Sequence, residues 1–404
     1  MVFTQPTRIL LLENIHPMAV DLLKRSGYEV ESVTKSLDED ELAGRLKGVH
    51  VLGIRSKTNV TRKVLENAPD LMTIGAFCIG VNQIDLKAAN AKGVAVFNAP
   101  YSNTRSVAEL AVCEMIALSR RLGDRNAAAH KGGWDKSVNG SREVRGKTLG
   151  IVGYGHIGSQ VSVLAESLGL KVIFYDVDKK LPLGNSKQVE RLEDLLKVSD
   201  FVSLHVPETS ATIGMMGRAQ IAQMKKGSYL LNASRGSVVL IPDLAEALKS
   251  GHLAGAAVDV FPLEPMSNNE SFASELQGLS NVILTPHIGG STEEAQEAIG
   301  REVADSVLNF LRRGSTIGAV NFPHIDMEVQ DGAHRILNVH QNVPGVLRDI
   351  NRIVSDLGAN IKAQSLATDS QIGYLLMDME KSDATAAAQL ISKLPTSIKT
   401  RSLY

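Results

Sequence analysis

The chain has 404 residues, 44% hydrophobic and 22% charged, with a formal net charge of −1 at pH 7. That length suggests two or three globular domains, and near-neutral charge argues against nucleic acid or an anionic membrane as a partner. No apolar run approaches the roughly 18 residues of a membrane span. Residues 1–6 lack the basic and apolar segments of a secretory leader, and two cysteines without a Cys-x-x-Cys spacing fit reduced thiols in the cytoplasm. No metal site is expected.

Residues 8–100 alternate short apolar runs with amphipathic stretches. Strands are expected at 9–12, 49–54, 71–76 and 94–97, with helices at 18–23 and 61–67, an alternation that implies a parallel sheet covered on both faces. Three polar spots follow strands, where open α/β sheets bind ligands. Arg55-Ser56-Lys57 offers two cations and a hydroxyl, suited to a phosphate or carboxylate, or else a solvated basic turn. Cys78, in Cys78-Ile79-Gly80-Val81-Asn82, has no His or Lys beside it and reads as a small buried hydrophobe rather than a nucleophile. Asn103 precedes an apolar-striped helix over 107–118, so it is either a ligand contact or simply the helix N-cap. Residues 120–145 are polar and hold Trp134, the single tryptophan, which either anchors a subunit contact or plugs a loop.

The strongest pattern begins at Leu149. An apolar run turns on Gly153-Tyr154-Gly155-His156-Ile157-Gly158 and opens a helix with Ile157, Val161, Leu164, Ala165 and Leu168 at helical spacing. A second apolar run ends at Asp176, about 20 residues on, so the glycine motif sits in the strand-turn-helix-strand context it requires. Gly153 permits the tight turn, Gly155 admits a pyrophosphate, and Gly158 lets helix and strand pack closely. The helix N-terminus offers N–H groups to phosphate, and Asp176 would accept a ribose diol and repel a 2′-phosphate, favouring NAD over NADP. Later strands are expected at 201–206, 229–232, 256–260 and 282–285, six in all. Arg235, Asp259 and His287 follow or end three of them, with Glu264 just beyond Asp259. Strand ends of one parallel sheet share one rim, so these four can converge on the nicotinamide end of a dinucleotide. A long amphipathic helix over 291–313 and a linker over 321–330 lead into a tail patterned βαββαβ, a split ferredoxin-like module.

With the glycine turn, Asn232-Ala233-Ser234-Arg235-Gly236, Glu264 and Thr285-Pro286-His287-Ile288-Gly289-Gly290-Ser291, the chain resembles the D-isomer-specific 2-hydroxyacid dehydrogenases. Ser102-Asn103-Thr104-Arg105-Ser106 and the tail stretch His340-Gln341-Asn342-Val343-Pro344-Gly345 extend the likeness to members carrying one ACT module. The resemblance implies two doubly wound α/β parallel-sheet domains: a flavodoxin-like substrate domain (1–102 and 293–325) and a Rossmann-type NAD domain (103–292). A ferredoxin-like ACT domain (332–404) follows. It also implies NAD-dependent oxidation of 3-phospho-D-glycerate to 3-phosphohydroxypyruvate, the entry to L-serine synthesis.

By the same resemblance, His287 is the acid/base, Glu264 its partner, and Arg235 binds the substrate carboxylate. Gly153, Gly155, His156, Ile157, Gly158, Asp176, Ala233, Ser234, Arg235, Asp259, His287, Ile288, Gly289 and Gly290 would touch the cofactor. Arg55, Ser56, Lys57 and Asn103 would meet the substrate. His340, Asn342 and Asn360 would hold L-serine as a feedback effector, in a homotetramer built through nucleotide and ACT domains. One departure is Lys57, where such relatives often carry arginine. Lysine keeps the charge and loses the bidentate fork, which bears on phosphate affinity. Rival readings are a dehydrogenase for glycerate, lactate or 2-hydroxyglutarate, and an NAD-sensing corepressor-like binding protein on the same core.

Overall fold

A computed structural model of the protein describes residues 7–265, 269–330, 332–380 and 384–403. The expectation of no leader falls on residues 1–6 and lies outside the described residues. The chain divides into two compact units, Met1–Ser102 with Gln296–Tyr404, and Asn103–Ala295. No helix of the described residues is long and apolar enough to cross a membrane.

The first unit opens with a parallel sheet of β1 (Arg8–Leu11), β2 (Glu29–Ser32), β3 (Val51–Ile54), β4 (Thr73–Ala76) and β5 (Ala95–Asn98), ordered β2-β1-β3-β4-β5. β3, β4 and β5 are buried along their whole length, as strands of a sheet covered on both faces must be. The side chains of His16, Asp38, Thr61 and Asp85 each accept an N–H in the first turn of the helix that follows, fixing where four helices start. Strand order reverses between β1 and β3, and the crevice beyond their carboxyl ends is where this topology binds ligands. β2 was not anticipated: it is a sheet edge of sequence Glu-Val-Glu-Ser with no fully buried residue, so it leaves no apolar pattern. The helix Glu293–Arg313 returns to this unit, where Ile299, Val303 and Val307 share a core with Ile9, Leu11 and Phe97.

The second unit carries seven parallel strands: β6 (Thr148–Val152), β7 (Lys171–Tyr175), β8 (Lys187–Gln188), β9 (Phe201–Leu204), β10 (Ser228–Asn232), β11 (Leu253–Val258) and β12 (Val282–Leu284). Their order is β12-β11-β10-β9-β6-β7-β8. The six expected strands are there. The seventh is β8, third in the doubly wound order, and its two residues are too few for any periodicity to show. The helix Thr104–Arg120 is followed by Leu122–His130, a helix within the stretch read as polar loop, which buries no residue. Trp134 is 83% exposed, so it plugs nothing within its own unit.

In the tail, β13 (Ala333–Gln341), β14 (Ile361–Thr368), β15 (Ile372–Glu380) and β16 (Ser397–Leu403) form an antiparallel sheet ordered β14-β15-β13-β16. Helices Val346–Asp356 and Ala384–Ser392 pack on one face through Val346, Ile350, Ala387 and Ile391. From the other face Leu337, Val339, Tyr374 and Leu376 join the core that holds Phe310 and Phe322. Arg335 is buried in a two-bond ion pair with Asp378, 2.7 Å each, and donates to the carbonyls of Arg313, Met327 and Glu328. Losing one partner of such a pair strands a buried charge and costs about 3–5 kcal/mol.

Candidate active site

The glycine turn has the geometry its sequence requires. Gly153 sits at φ +90°, where a side chain would be strained, and a Cβ there would run into the carbonyl of His205. A Cβ on Gly158 would overlap the carbonyl of Gly153, so helix His156–Ser167 packs on β6 only with glycine there. At Gly155, by contrast, nothing lies within 4 Å of where a Cβ would stand, and no side chain caps the helix that begins there. Open space at a helix N-terminus fits a pyrophosphate. Asp176 follows β7, and its carboxylate accepts the N–H groups of Tyr154 at 2.8 Å and Asp178 at 3.0 Å. That places the acid beside the glycine turn, where an adenosine ribose would lie in this fold. These residues fit NAD.

At the ends of β10, β11 and β12 three loops are built from their own polar groups. Asn232 accepts from both the N–H and the hydroxyl of Ser234 and donates to the Arg235 carbonyl, curling the loop beneath Ala233, Ser234 and Arg235. One Nη1 bond to the Ser234 carbonyl, 2.7 Å, steadies the Arg235 guanidinium. Asp259 is 2% exposed, and its oxygens accept from the Thr285 hydroxyl and the N–H groups of Ile288 and Gly289, all within 2.6–2.8 Å. His287 stands at φ +55°, an uncommon conformation for a residue with a side chain. Its N–H is shared between the carbonyls of Asp259 and Thr285. Strain held in place by its surroundings is characteristic of functional sites.

His287 Nδ1 lies 2.8 Å from Glu264 Oε2, and Glu264 Oε1 accepts the Phe261 N–H. Burial works against charge on Glu264, but the His287 hydrogen bond, the Phe261 N–H and the His287 and Arg235 charges outweigh it, holding the carboxyl below its ordinary range. The Glu264 hydrogen bond raises the His287 pKa against the opposing effect of desolvation, helped by the charges of Glu264 and Asp259. The pair therefore favours carboxylate beside imidazolium, with the half-exposed ring within reach of solvent.

Asn103 occupies the N-cap position of helix Thr104–Arg120, yet its side chain makes no capping bond. It lies instead against Gly290, where a Cβ would meet its Nδ2, and its buried Oδ1 has no partner among the described residues. An orphaned buried acceptor beside the His287 loop fits a ligand contact and not the bland capping role. Glu114 was missed. It lies on the buried stripe of the same helix with Ala111, Met115 and Leu118, 3% exposed. Burial, then the charge of Asp259, push its carboxyl up to about 8. An acid falling on an apolar stripe was the signal available.

In the first unit, Arg55, Ser56 and Lys57 follow β3 at the topological switch, with Ser56 and Lys57 exposed. Cys78 is partly buried, its thiol 3.1 Å from the Gly80 carbonyl. In the tail, His340 is 3% exposed and bonded to Asn338, and burial lowers its pKa. Asn342 donates to the Asp369 carbonyl at 2.6 Å, and Asn360 to Glu380 at 3.4 Å. The structure does not bring all three together. His340 and Asn342 sit by the start of β15 and Asn360 by its end, and nine residues of strand hold those ends about 27 Å apart.

The family profile for "D-isomer specific 2-hydroxyacid dehydrogenase, NAD binding domain" matches residues 112–289, and "AHAS small subunit-like ACT domain" matches residues 336–399. The chain is 56% identical over 397 residues to a D-3-phosphoglycerate dehydrogenase of Dictyostelium discoideum, covering 98% of this chain and 97% of that protein. It is 50% identical to the D-3-phosphoglycerate dehydrogenase of Escherichia coli K12, over 98% of this chain and 97% of that protein. Among solved structures, D-lactate dehydrogenase from Aquifex aeolicus complexed with NAD and lactic acid is 29% identical with a TM-score of 0.68, covering 78% of this chain and 99% of that one. Fold and likeness together define an NAD-dependent oxidoreductase. The chain belongs to the D-isomer-specific 2-hydroxyacid dehydrogenase family, with a C-terminal ACT domain.

Proposed function

We propose that this chain oxidises 3-phospho-D-glycerate to 3-phosphohydroxypyruvate at the head of L-serine synthesis. The observation that carries the chemistry is the His287–Glu264 pair at 2.8 Å, built on the same rim as Arg235. The substrate follows from the full-length relatives of that name and from the two cations after β3. Glu264 accepts the hydrogen bond of Nδ1–H, so Nε2 is the ring nitrogen that accepts the C2 hydroxyl proton in oxidation and returns it in reduction. Arg235 keeps N–H groups beyond its bond to Ser234 and grips the substrate carboxylate, stopping rotation about the reacting carbon. Asn103 turns its orphaned oxygen to substrate, and Asp259 holds the His287 loop in register. Gly153–Gly158 and Asp176 would hold NAD, which would supply the acceptor for the C2 hydride.

The same reading assigns residues 1–102 with 293–325 to substrate binding, 103–292 to NAD and 332–404 to regulation. L-Serine is the proposed effector. Because Asn360 lies at the far end of β15 from His340 and Asn342, one serine site takes His340 and Asn342 from one ACT domain and Asn360 from another. Exposed Trp134 and the apolar surface of Ile116, Leu122 and Leu168 serve a second contact between nucleotide domains, giving a tetramer. Cys78 and Cys113 as reduced thiols suit the cytoplasm. Initial rates of NADH oxidation test the assignment. Strong preference for 3-phosphohydroxypyruvate over hydroxypyruvate, pyruvate and 2-oxoglutarate is expected. Preference for an unphosphorylated acid would transfer the assignment to another family member, and NADH binding without turnover would favour a sensor.

A further inference from the structure

β1 and β3 are neighbours whose carboxyl ends lie side by side, and the chain leaves both through unusual loops. After β1, Glu13 and Asn14 take φ +63° and +53°, two consecutive non-glycine residues in the left-handed region. Such a pair persists only where surrounding contacts over-determine it. The contacts are present. The Glu13 and Asn14 N–H groups donate to the carbonyls of Lys35 and Val33, and the Glu13 side chain, 7% exposed, turns in toward the loop after β3. Its Oε1 accepts the N–H of Arg55 at 3.2 Å and of Thr58 at 2.8 Å, and its Oε2 accepts the N–H of Lys57 at 3.0 Å. On the other side of the loop, Gln83 Nε2 donates to the Arg55 carbonyl at 2.6 Å.

We propose that Glu13 is the positioning residue of the phosphate-binding loop: its carboxylate ties down the backbone of Arg55, Lys57 and Thr58 so that the side chains of Arg55, Ser56 and Lys57 face the substrate's phosphate. This deepens the phosphate assignment above and rests on it. A buried carboxylate is an improbable neighbour for an anion site unless its charge is absorbed, and three N–H donors absorb it here. The arrangement also sets the mode of recognition. Three of the four N–H groups from Arg55 to Thr58 are committed to Glu13, so phosphate is bound by guanidinium, ammonium and hydroxyl rather than by a nest of backbone amides. Glu13 touches no substrate. It acts on specificity by preorganising groups that do.

Glu13→Gln removes the charge and keeps one acceptor oxygen, setting its N–H₂ group against an N–H that needs an acceptor, and so loosens the loop. The expected result is a fall of about tenfold or more in the ratio of kcat/KM for 3-phosphohydroxypyruvate to that for hydroxypyruvate, as charge-assisted hydrogen bonds are lost. The loss should appear in KM for the phosphorylated acid far more than in kcat. Glu13→Asp, which keeps the charge on a shorter arm, should recover part of the ratio, and it stands in if the glutamine variant does not fold. Equal losses on both substrates, or an unchanged ratio in both variants, would overturn the proposal. Arg55→Ala separates the two assignments. If it leaves the ratio unchanged, phosphate does not bind at this loop. If it lowers the ratio and the Glu13 variants do not, the phosphate assignment stands and the positioning role fails.

Discussion

Glu114→Gln isolates a buried proton. In the folded chain burial, and then the charge of Asp259, move the Glu114 carboxyl from its ordinary 4.5 up to about 8. The unfolded chain releases that proton near 4.5, while the folded chain keeps it until about 8. Between those values the unfolded state binds fewer protons, so stability falls as pH rises. The slope is about 1.4 kcal/mol per pH unit, which accumulates to roughly 3 kcal/mol by pH 7. Glutamine keeps the shape and has no proton to lose. Its own fit beside the orphaned Oε1 position is a constant at every pH. The stability difference between variant and parent should therefore move in the variant's favour by about 1.4 kcal/mol per pH unit from pH 5 to pH 8. Calorimetric melting across that range reads it, following the transition that added NADH shifts, since that transition reports the unit holding Glu114. Each kcal/mol corresponds to about 2–4 °C for a unit of this size. A difference that does not vary with pH would refute the reasoning and place a charged Glu114 in the core.

Glu264→Gln removes the carboxylate that raises the His287 pKa, so the basic limb of the 3-phosphohydroxypyruvate reduction profile should move to lower pH; an unmoved limb argues against the pairing. Arg235→Ala should lower kcat/KM by about 10²–10³, as for loss of a preorganised donor to developing charge, and a near-normal value would remove Arg235 from the substrate site. Asn342→Ala should raise the serine concentration needed for half-inhibition; unchanged inhibition would sink the assigned effector site. Gly158→Ala forces a methyl onto the Gly153 carbonyl and should weaken NADH binding in a fluorescence titration, which normal affinity would contradict.

How much was legible in the chain depended on how far each constraint reaches. The glycine turn was legible whole, because φ at Gly153, the close approach at Gly158 and the acid at Asp176 are all settled within one strand-helix-strand unit. Arg235, Glu264 and His287 were legible because parallel strands bring their loops to one rim whatever lies between them. Apolar periodicity marked most of the strands and was silent on β2, β8 and helix Leu122–His130, none of which has a fully buried residue.

Three things were decided only by tertiary structure. Asn103 reads equally well as a cap, and only the structure shows that it caps nothing and keeps a buried oxygen without a partner among the described residues. His340, Asn342 and Asn360 share a module in sequence, but the length of β15 sets Asn360 apart. Glu13 resembles an ordinary surface acid along the chain, and Glu114 shows there only as an acid on an apolar stripe. Their meaning comes from partners brought close by neighbouring strands and by a helix lying across them: the N–H groups of Arg55, Lys57 and Thr58 for one, Asp259 for the other. Sequence determined which groups can do chemistry, since that depends on residue type and local turn. Which of them are buried, and against what, depends on packing between segments far apart in the chain, and burial is what fixes a carboxyl's charge and a loop's shape.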